Sequence, residues 1–294
     1  MLNSRIMWEK IKRFIKMNKE LYSFMSPFYR LIRKNDNASL FGHFFSSVVG
    51  GSVKVTVNNI PGQYEIDARS HILKRIMLNK EYEPDIIKHI LRNIDGGKDA
   101  INVGANVGLI TNFLAGCINP DRKVLAIEPA PTTFKLLERN VNENGIQARV
   151  ILFNGVAADK ESNFTINVIE GNEEYSSMGS LVHPSIKNRN YSCVEVRGDT
   201  IDNMVNMYGI NPGIIVIDVE GAEYSVLKGS ISSLKMYRPI IISEIDDNLL
   251  ATQKSNSKMI FKLLEELNYK VFNTNHRNLN YPFSGNIIAL PVSK

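Results

Sequence analysis

The sequence predicts an α/β fold with an open, doubly wound, mostly parallel sheet, preceded by a helical extension and a small β-hairpin. Three observations support this prediction. From residue 100 onward short apolar runs alternate with helical periodicity, several runs are almost wholly apolar, and glycine or acidic residues follow them. Continuous apolar runs are typical of strands buried on both faces of a parallel sheet, and right-handed crossovers between such strands give the doubly wound arrangement.

The composition is that of a globular protein of 294 residues, with 44% hydrophobic residues and 35 Lys+Arg against 30 Asp+Glu. No apolar run approaches the roughly 18 residues of a membrane-spanning helix, and no signal-peptide core is expected. Cys117 and Cys193 are isolated and give no disulfide framework, so a cytoplasmic location is expected. Two parts are predicted: a basic amphipathic extension over residues 1–49 and a Rossmann-like domain over residues 50–294.

Positive charge is concentrated at the start of the chain. Residues 1–34 hold nine basic and two acidic residues, a charge of +7, whereas the remainder has 26 basic and 28 acidic residues. Apolar residues three and four apart predict two amphipathic helices that meet near Pro27. Three interpretations stay open: packing on the main domain or on a second subunit of a homo-oligomer, peripheral contact with the inner face of a membrane, or contact with an acidic protein. Nucleic acid is not favoured because the sequence has no recognition motif.

The main domain opens with a predicted hairpin. Residues 53–57 alternate with period two, residues 58–62 have turn composition, and residues 63–67 return as the second strand. Pro84 then begins a helix that ends before Gly96.

Strands and helices alternate in the rest of the chain. Strands are predicted over residues 100–103, 124–127, 150–153, 214–217 and 240–242, with closing strands over 270–272 and 286–290. The intervening helices are predicted over residues 106–117, 132–144, 224–234 and 259–267. An antiparallel pair, 164–169 and 191–196, flanks a polar stretch over residues 170–190, whose length is typical of a binding loop or a disordered one.

Ligands bind at the carboxyl ends of the strands in such sheets, so the residues after each strand are the candidates for chemistry. The first strand leads into a loop rich in small residues, in which glycine lets the backbone turn sharply and lets a ligand approach the amides at the helix start. The candidate cofactor-binding residues of this loop are Asn102, Gly104, Ala105, Asn106 and Gly108. The loop is not GxGxxG, which argues against a dinucleotide.

The second and third strands also end in candidate cofactor-binding residues. Glu128 and Pro129 follow the second strand, and an acid at this place can accept both hydrogen bonds of a ribose diol. Asp159 comes after the third strand, where a carboxylate could meet an adenine edge. Loop and acid in this order predict an adenosine-containing ligand.

Carboxylates dominate the ends of the next two strands. Asp218 and Glu220 follow the fourth strand and Glu244 follows the fifth, so three acids are expected to meet at one cleft and to act as general acid or base. Crowding should raise the pKa of at least one of them. Glu223 is a candidate substrate contact, although Glu220 or Glu223 could instead cap the following helix. No metal is expected, because no histidine lies beside these acids.

These residues together resemble the FkbM-type methyltransferases over roughly residues 50–275. The matching motifs are Tyr82-Glu83-Pro84, the loop of residues 101–108, Glu128-Pro129 with Phe134, Leu137 and Asn140, Thr200-Ile201-Asp202, and Asp218-Val219-Glu220-Gly221-Ala222-Glu223.

The resemblance implies a class I, Rossmann-like methyltransferase that uses S-adenosyl-L-methionine, with a seven-stranded sheet whose last strand is antiparallel. It implies that the glycine loop lines the methionine part of the cofactor and that Glu128 holds its ribose. The family usually has Asp where this chain has Asn102, and a lysine is common at Ile217.

The predicted reaction is O-methylation of a hydroxyl of a sugar, a glycan or a small natural product. Asp218 or Glu220 would be the general base with Glu244 in support, and the loop of residues 170–190, including Ser180 and His183, would cover the acceptor. Two alternatives stay open: a NAD-type Rossmann oxidoreductase, and a non-catalytic adaptor built on the methyltransferase scaffold.

Overall fold

The computed structural model describes residues 51–168, 191–274 and 279–292. The basic extension and the loop of residues 170–190 lie outside these ranges, and so do Ser180 and His183. The boundary between residues 49 and 50 therefore stays a prediction. Within the described ranges no helix combines the length and the apolar character needed to cross a bilayer.

The predicted hairpin is confirmed and leads into two helices. Strands β1 (Ser52–Val57) and β2 (Ile60–Asp67) pair antiparallel around the turn at Asn58 and Asn59. Helix α1 (His71–Asn79) was not predicted. Ser70 caps its first turn, because the Ser70 hydroxyl accepts from the amide of Ile72. Helix α2 (Pro84–Asn93) begins with the predicted proline.

A seven-stranded sheet forms the centre of the domain, and the predicted fold class is confirmed. Its strands are β3 (Asp99–Val103), β4 (Val124–Glu128), β5 (Val150–Asn154), β9 (Pro212–Ile217), β10 (Ile240–Asp246), β11 (Tyr269–Asn273) and β12 (Ser284–Pro291). They lie in the order β11-β12-β10-β9-β3-β4-β5. All pairs from β10 to β5 are parallel, and β12 runs antiparallel to both of its neighbours.

Helices cover both faces of this sheet. The remaining helices are α3 (Leu109–Cys117), α4 (Pro131–Glu143), α5 (Ile201–Tyr208), α6 (Glu223–Lys228), α7 (Ile231–Tyr237), α8 (Asp247–Thr252) and α9 (Ser257–Glu266). One apolar core joins α1 to α4 and the hairpin to one face, and a second joins α5 to α9 to the other. Successive residues of β3, such as Ala100 and Ile101, point into opposite cores. Both faces of that strand are therefore buried, which explains its continuous apolar run.

The prediction of one continuous helix after β9 is wrong. The single helix predicted over residues 224–234 is two helices, α6 and α7, separated at Gly229 and Ser230. A Cβ atom on Gly229 would lie 1.9 Å from the carbonyl oxygen of Ala158, so the backbone of another element passes directly against this position. That tertiary contact explains the break.

A second, small sheet leaves the main one after β5. It contains β6 (Val156–Ala157), β7 (Ser162–Val168) and β8 (Ser192–Asp199), in the order β6-β8-β7. Strands β7 and β8 form the predicted antiparallel pair. The sheet has its own apolar cluster around Ile166. It extends from the edge of the main sheet where the carboxyl ends of the parallel strands lie.

Candidate active site

An open cavity lies at the carboxyl ends of the parallel strands, the expected place for a ligand in a doubly wound sheet. It encloses about 1010 Å³ of space, part of it open to solvent. Its wall includes residues from the glycine loop, from the end of β4, from the loop after β9, from the small sheet and from the segment before α2. Its polar and charged lining residues are Tyr82, Glu83, Asn102, Asn106, Glu128, Asp218 and Glu220.

The glycine loop is fixed to the strands on both sides of β3. The amides of Gly104 and Ala105 both donate to the carbonyl of Ile127 in β4, at 3.0 and 2.9 Å. Gly104 has φ +79°, and a Cβ atom there would lie 1.8 Å from the carbonyl oxygen of Asp218. Only glycine fits such a contact, so the loop lies directly against the acidic segment after β9.

Asn102 and Asn106 hold the loop by different means. Asn102 is buried, and its amide nitrogen donates to the hydroxyl of Thr111 in α3 at 3.0 Å. Asn106 has φ +50°, and its side-chain oxygen accepts from the amide of Val107 at 2.8 Å. Both residues line the cavity. The hydrogen bond to Thr111 gives Asn102 a role in joining strand and helix whatever it does toward a ligand.

Glu128 is a buried carboxylate held by backbone amides. It is 5% exposed; one carboxylate oxygen accepts from the amide of Asn106 and the other from the amide of Ala130, each at 2.9 Å. A pre-oriented carboxylate facing the cavity beside the glycine loop fits a ribose diol, and these residues therefore suit a nucleoside cofactor.

Asp159 lies elsewhere. It is exposed, its side chain pairs with Lys228 at 2.9 Å, and it does not line the cavity. The hydrogen bond from Lys228 lowers the pKa of Asp159 below its ordinary value. Pro129 and Ala157, in contrast, do line the cavity. The place expected for an adenine contact is therefore occupied by Ala157, and Asp159 closes a surface ion pair.

Two of the three acids expected at one cleft, Asp218 and Glu220, line the cavity, whereas Glu244 of β10 is absent from its wall. Asp218 is an exposed residue that lines the cavity. Desolvation within the cavity raises its pKa above the ordinary value, and the charges of Glu244, Glu220, Glu83 and Glu223 act in the same direction. Glu244 belongs to β10 and does not follow it. Desolvation and the charge of Glu83 raise the pKa of Glu244 as well. A carboxylate with a raised pKa binds a proton more strongly, which is what a general base needs.

Glu223 has a different environment from the other acids. It is 2% exposed, and one carboxylate oxygen accepts from the amides of Gly221 and Val219, at 3.1 and 3.4 Å. Among the described residues, its other oxygen is one of four buried side-chain atoms without a hydrogen-bond partner. Desolvation raises the pKa of Glu223 to about 7. Glu223 thus lies beneath the loop that carries Asp218, and it is absent from the cavity wall where a substrate contact was expected.

Two further polar residues of the cavity were missed as site residues. Tyr82 and Glu83 precede α2 and line the same cavity as Asp218 and Glu220. Tyr82-Glu83-Pro84 was recognised as a motif, and a polar pair directly before a helix-opening proline was the signal that could have indicated a site. Desolvation and the charges of Glu83 and Asp218 raise the pKa of Tyr82 well above its ordinary value. Within the described ranges, no group of three or more acidic, histidine or cysteine residues has metal-binding geometry.

The fold and the site together define a class: an α/β domain with a doubly wound, mostly parallel sheet and a cavity at the carboxyl ends of its strands, beside a group of acids. Residues 102–271 match the profile of the methyltransferase FkbM domain, more than half of the chain. The chain therefore belongs to the FkbM methyltransferase family, whose members use S-adenosylmethionine.

Individual relatives are more distant. The chain is 28% identical over 148 residues to "Methyltransferase 1" of Beauveria bassiana (strain ARSEF 2860), a match that covers 44% of this chain and 57% of that protein. Among solved structures it is similar to methyltransferase FkbM from Methylobacillus flagellatus KT, with 13% identity, a TM-score of 0.44, and coverage of 74% of this chain and 53% of that one. An O-methyltransferase from Bacillus cereus in complex with SAH gives 13% identity, a TM-score of 0.41, and coverage of 72% and 83%. The chain thus spans little more than half the length of the first two relatives.

Proposed function

We propose that this protein is an S-adenosylmethionine-dependent O-methyltransferase that acts on a hydroxyl group of a sugar, a glycan or a small natural product. The observation that supports the proposal is that one cavity is lined both by the glycine loop with Glu128 and by Asp218 and Glu220. A cofactor site and a proton acceptor thus share one space, which is what methyl transfer to a hydroxyl requires.

The residues that would hold the cofactor are those of the glycine loop that line the cavity, with Glu128 on the ribose and Pro129 and Ala157 beside the base. Gly108, also predicted as a cofactor-binding residue, is absent from the cavity wall and lies against Leu137 of α4. S-adenosylmethionine, when bound, supplies an electrophilic methyl group. A hydroxyl is a poor nucleophile until its proton is being removed. Asp218 is the proposed general base, because it faces the cavity and its pKa is raised well above the ordinary value. Glu220 and Glu244 would keep the proton affinity of Asp218 high through their charges.

Two variants separate the proposed roles. Asp218→Ala should abolish methyl transfer and leave the dissociation constant of S-adenosylhomocysteine within about threefold of wild type. Glu128→Ala should weaken that binding by roughly tenfold or more, because it removes charge-assisted hydrogen bonds worth about 1.5–3 kcal/mol. The measurements are calorimetric binding and transfer of a radiolabelled methyl group to glycan, lipid and small-molecule fractions of a cell extract. The reverse pattern would overturn the two assignments.

Ligand-induced thermal stabilisation distinguishes this function from the NAD-type alternative. At a hundredfold excess over its dissociation constant a ligand stabilises the folded state by about 2.7 kcal/mol. S-adenosylhomocysteine should raise the melting temperature and NAD should not. Stabilisation by NAD alone would refute the proposal. Membrane or protein contact through residues 1–34 stays a separate prediction, since that segment lies outside the described residues.

A further inference from the structure

The segment between α1 and α2 forms a third wall of the cavity, although it comes from neither the glycine loop nor the acidic strand ends. Tyr82 and Glu83 line the same space as Asp218. The backbone of this segment is unusual, because Lys80 has φ +58° and Glu83 has φ +41°. Left-handed backbone costs residues other than glycine roughly 1–2 kcal/mol each, so it persists only where surrounding contacts hold it.

Asn59, in the turn of the hairpin, supplies such contacts. Its side-chain oxygen accepts from the amide of Tyr82 at 2.9 Å, and its side-chain nitrogen donates to the carbonyl of the same residue at 2.7 Å. One planar amide therefore holds both backbone polar groups of Tyr82. The neighbouring amide of Asn58 donates to the carbonyl of Lys80 at 2.9 Å. The turn of the hairpin thus fixes the segment directly before Glu83.

Glu83 is held from its other side by an ion pair. Arg75 of α1 donates to a carboxylate oxygen of Glu83 at 2.6 Å, and the side chain of Glu83 is 19% exposed against 59% for Arg75. The carboxylate of Glu83 is therefore the more enclosed partner. Glu83 and Asp218 both belong to the cavity wall.

The charges around the acids come from four parts of the fold. The pKa of Asp218 is raised by desolvation and then by Glu244, Glu220, Glu83 and Glu223. That of Glu244 is raised by desolvation, Glu83 and Asp246, and lowered by Arg75. Tyr82 is the further titratable group beside them. Glu83 belongs neither to β10 nor to the acidic segment after β9. Its charge raises the pKa of both Asp218 and Glu244.

We propose that Asn59 is a positioning residue of the active site, which holds Tyr82 and thereby keeps Glu83 in the cavity wall that it shares with Asp218. The inference rests on the proposed function in so far as Asp218 is the base whose proton affinity matters. Glu83 then acts on the base through its charge, and Asn59 acts through Glu83.

The test is a ¹³C-carboxyl NMR titration of the full chain, with the Asp218 and Glu244 signals assigned through Asp218→Asn and Glu244→Gln. Glu83→Gln should lower both titration midpoints by about 0.5–1 pH unit, the size expected for loss of one nearby like charge. Asn59→Ala should lower them in the same direction by a smaller amount. Asn58→Ala is the matched control, because Asn58 is exposed and its contact to Lys80 uses only its backbone. It should leave both midpoints at the wild-type values.

A double variant shows whether Asn59 acts through Glu83. Asn59→Ala combined with Glu83→Gln should give the midpoints of Glu83→Gln alone. The acidic limb of the pH profile of kcat/KM should also move to lower pH, further in Glu83→Gln than in Asn59→Ala. If Asn59→Ala does not fold, Asn59→Gly, which keeps turn propensity and has no side chain to form either hydrogen bond, takes its place.

Two results would overturn the inference: unchanged midpoints in Glu83→Gln, or midpoints in Asn59→Ala that equal those of wild type while Glu83→Gln shifts them. The titration needs neither cofactor nor acceptor. Failure of the proposed function would instead appear as absence of S-adenosylhomocysteine binding by the wild-type chain, so the two failures are distinguishable.

Discussion

Glu223 should make the stability of the domain depend on pH near neutrality. Its carboxyl is 2% exposed, and burial raises its pKa from 4.5 to about 7. The folded state therefore binds more protons than the unfolded state between these two values. The stabilising contribution of the protonated form is fully present below the lower value and is lost as the pH rises through the higher one.

The magnitude follows from the difference between the two pKa values. The two pKa values differ by about 2.5, and a difference of one corresponds to about 1.36 kcal/mol, so the total is roughly 3 kcal/mol. About 2 kcal/mol of this contribution is lost between pH 5.5 and 8.5. Glu223→Gln removes this titration and keeps an oxygen that can accept from the amides of Val219 and Gly221. The variant should therefore gain about 2 kcal/mol relative to wild type when the pH is raised from 5.5 to 8.5.

Urea unfolding of the full chain at the two pH values measures this change. The difference in unfolding free energy between variant and wild type is compared at each pH, so any constant cost of the amide cancels. Glu138→Gln, on an exposed position of α4, is the control for removing a carboxylate from the surface. A difference that is the same at pH 5.5 and 8.5 would refute the reasoning.

Three further outcomes are expected. Gly104→Ala should destabilise the fold by about 2–5 kcal/mol in urea unfolding and weaken S-adenosylhomocysteine binding, because its Cβ atom would lie 1.8 Å from the carbonyl oxygen of Asp218 at positive φ. Gly116→Ala, with nothing within 4 Å, is the control. Asn140→Ala should cost about 2–4 kcal/mol in the same assay through loss of three side-chain hydrogen bonds to the hairpin and the glycine loop. Asp159→Ala should leave the calorimetric dissociation constant of S-adenosylhomocysteine within about twofold of wild type. A tenfold weaker binding would show that Asp159 belongs to the cofactor site.

The parallel strands were the most predictable part of the fold. Strands β3, β4 and β9 are buried along their whole length, so apolar runs identify them directly. The hairpin was predictable from alternation and turn composition. The break at Gly229 was not, because its cause is the approach of Ala158, a contact that local sequence does not encode.

The site was predictable to the level of strand ends and no further. Glu128 and Asp218 follow or end parallel strands, and both line the cavity as the topology requires. Asp159 and Glu223 also come after parallel strands, but neither lines the cavity. Asp159 pairs with Lys228 at the surface, and Glu223 accepts from the amide of Gly221 in the interior. The direction of an acidic side chain depends on partners that become neighbours only in the folded chain.

The small sheet has a consequence for engineering acceptor range. The amide of Ala158, directly after β6, donates to the carbonyl of Asp199, the last residue of β8, at 2.9 Å. The two ends of the excursion therefore meet, and the residues between them can be treated as an exchangeable cassette. Ile166 of this cassette lines the cavity, and Glu128 lines it from outside the cassette. If the proposed function holds, grafting the corresponding segment of a relative should change the acceptor and leave the glycine loop and Glu128 as they are.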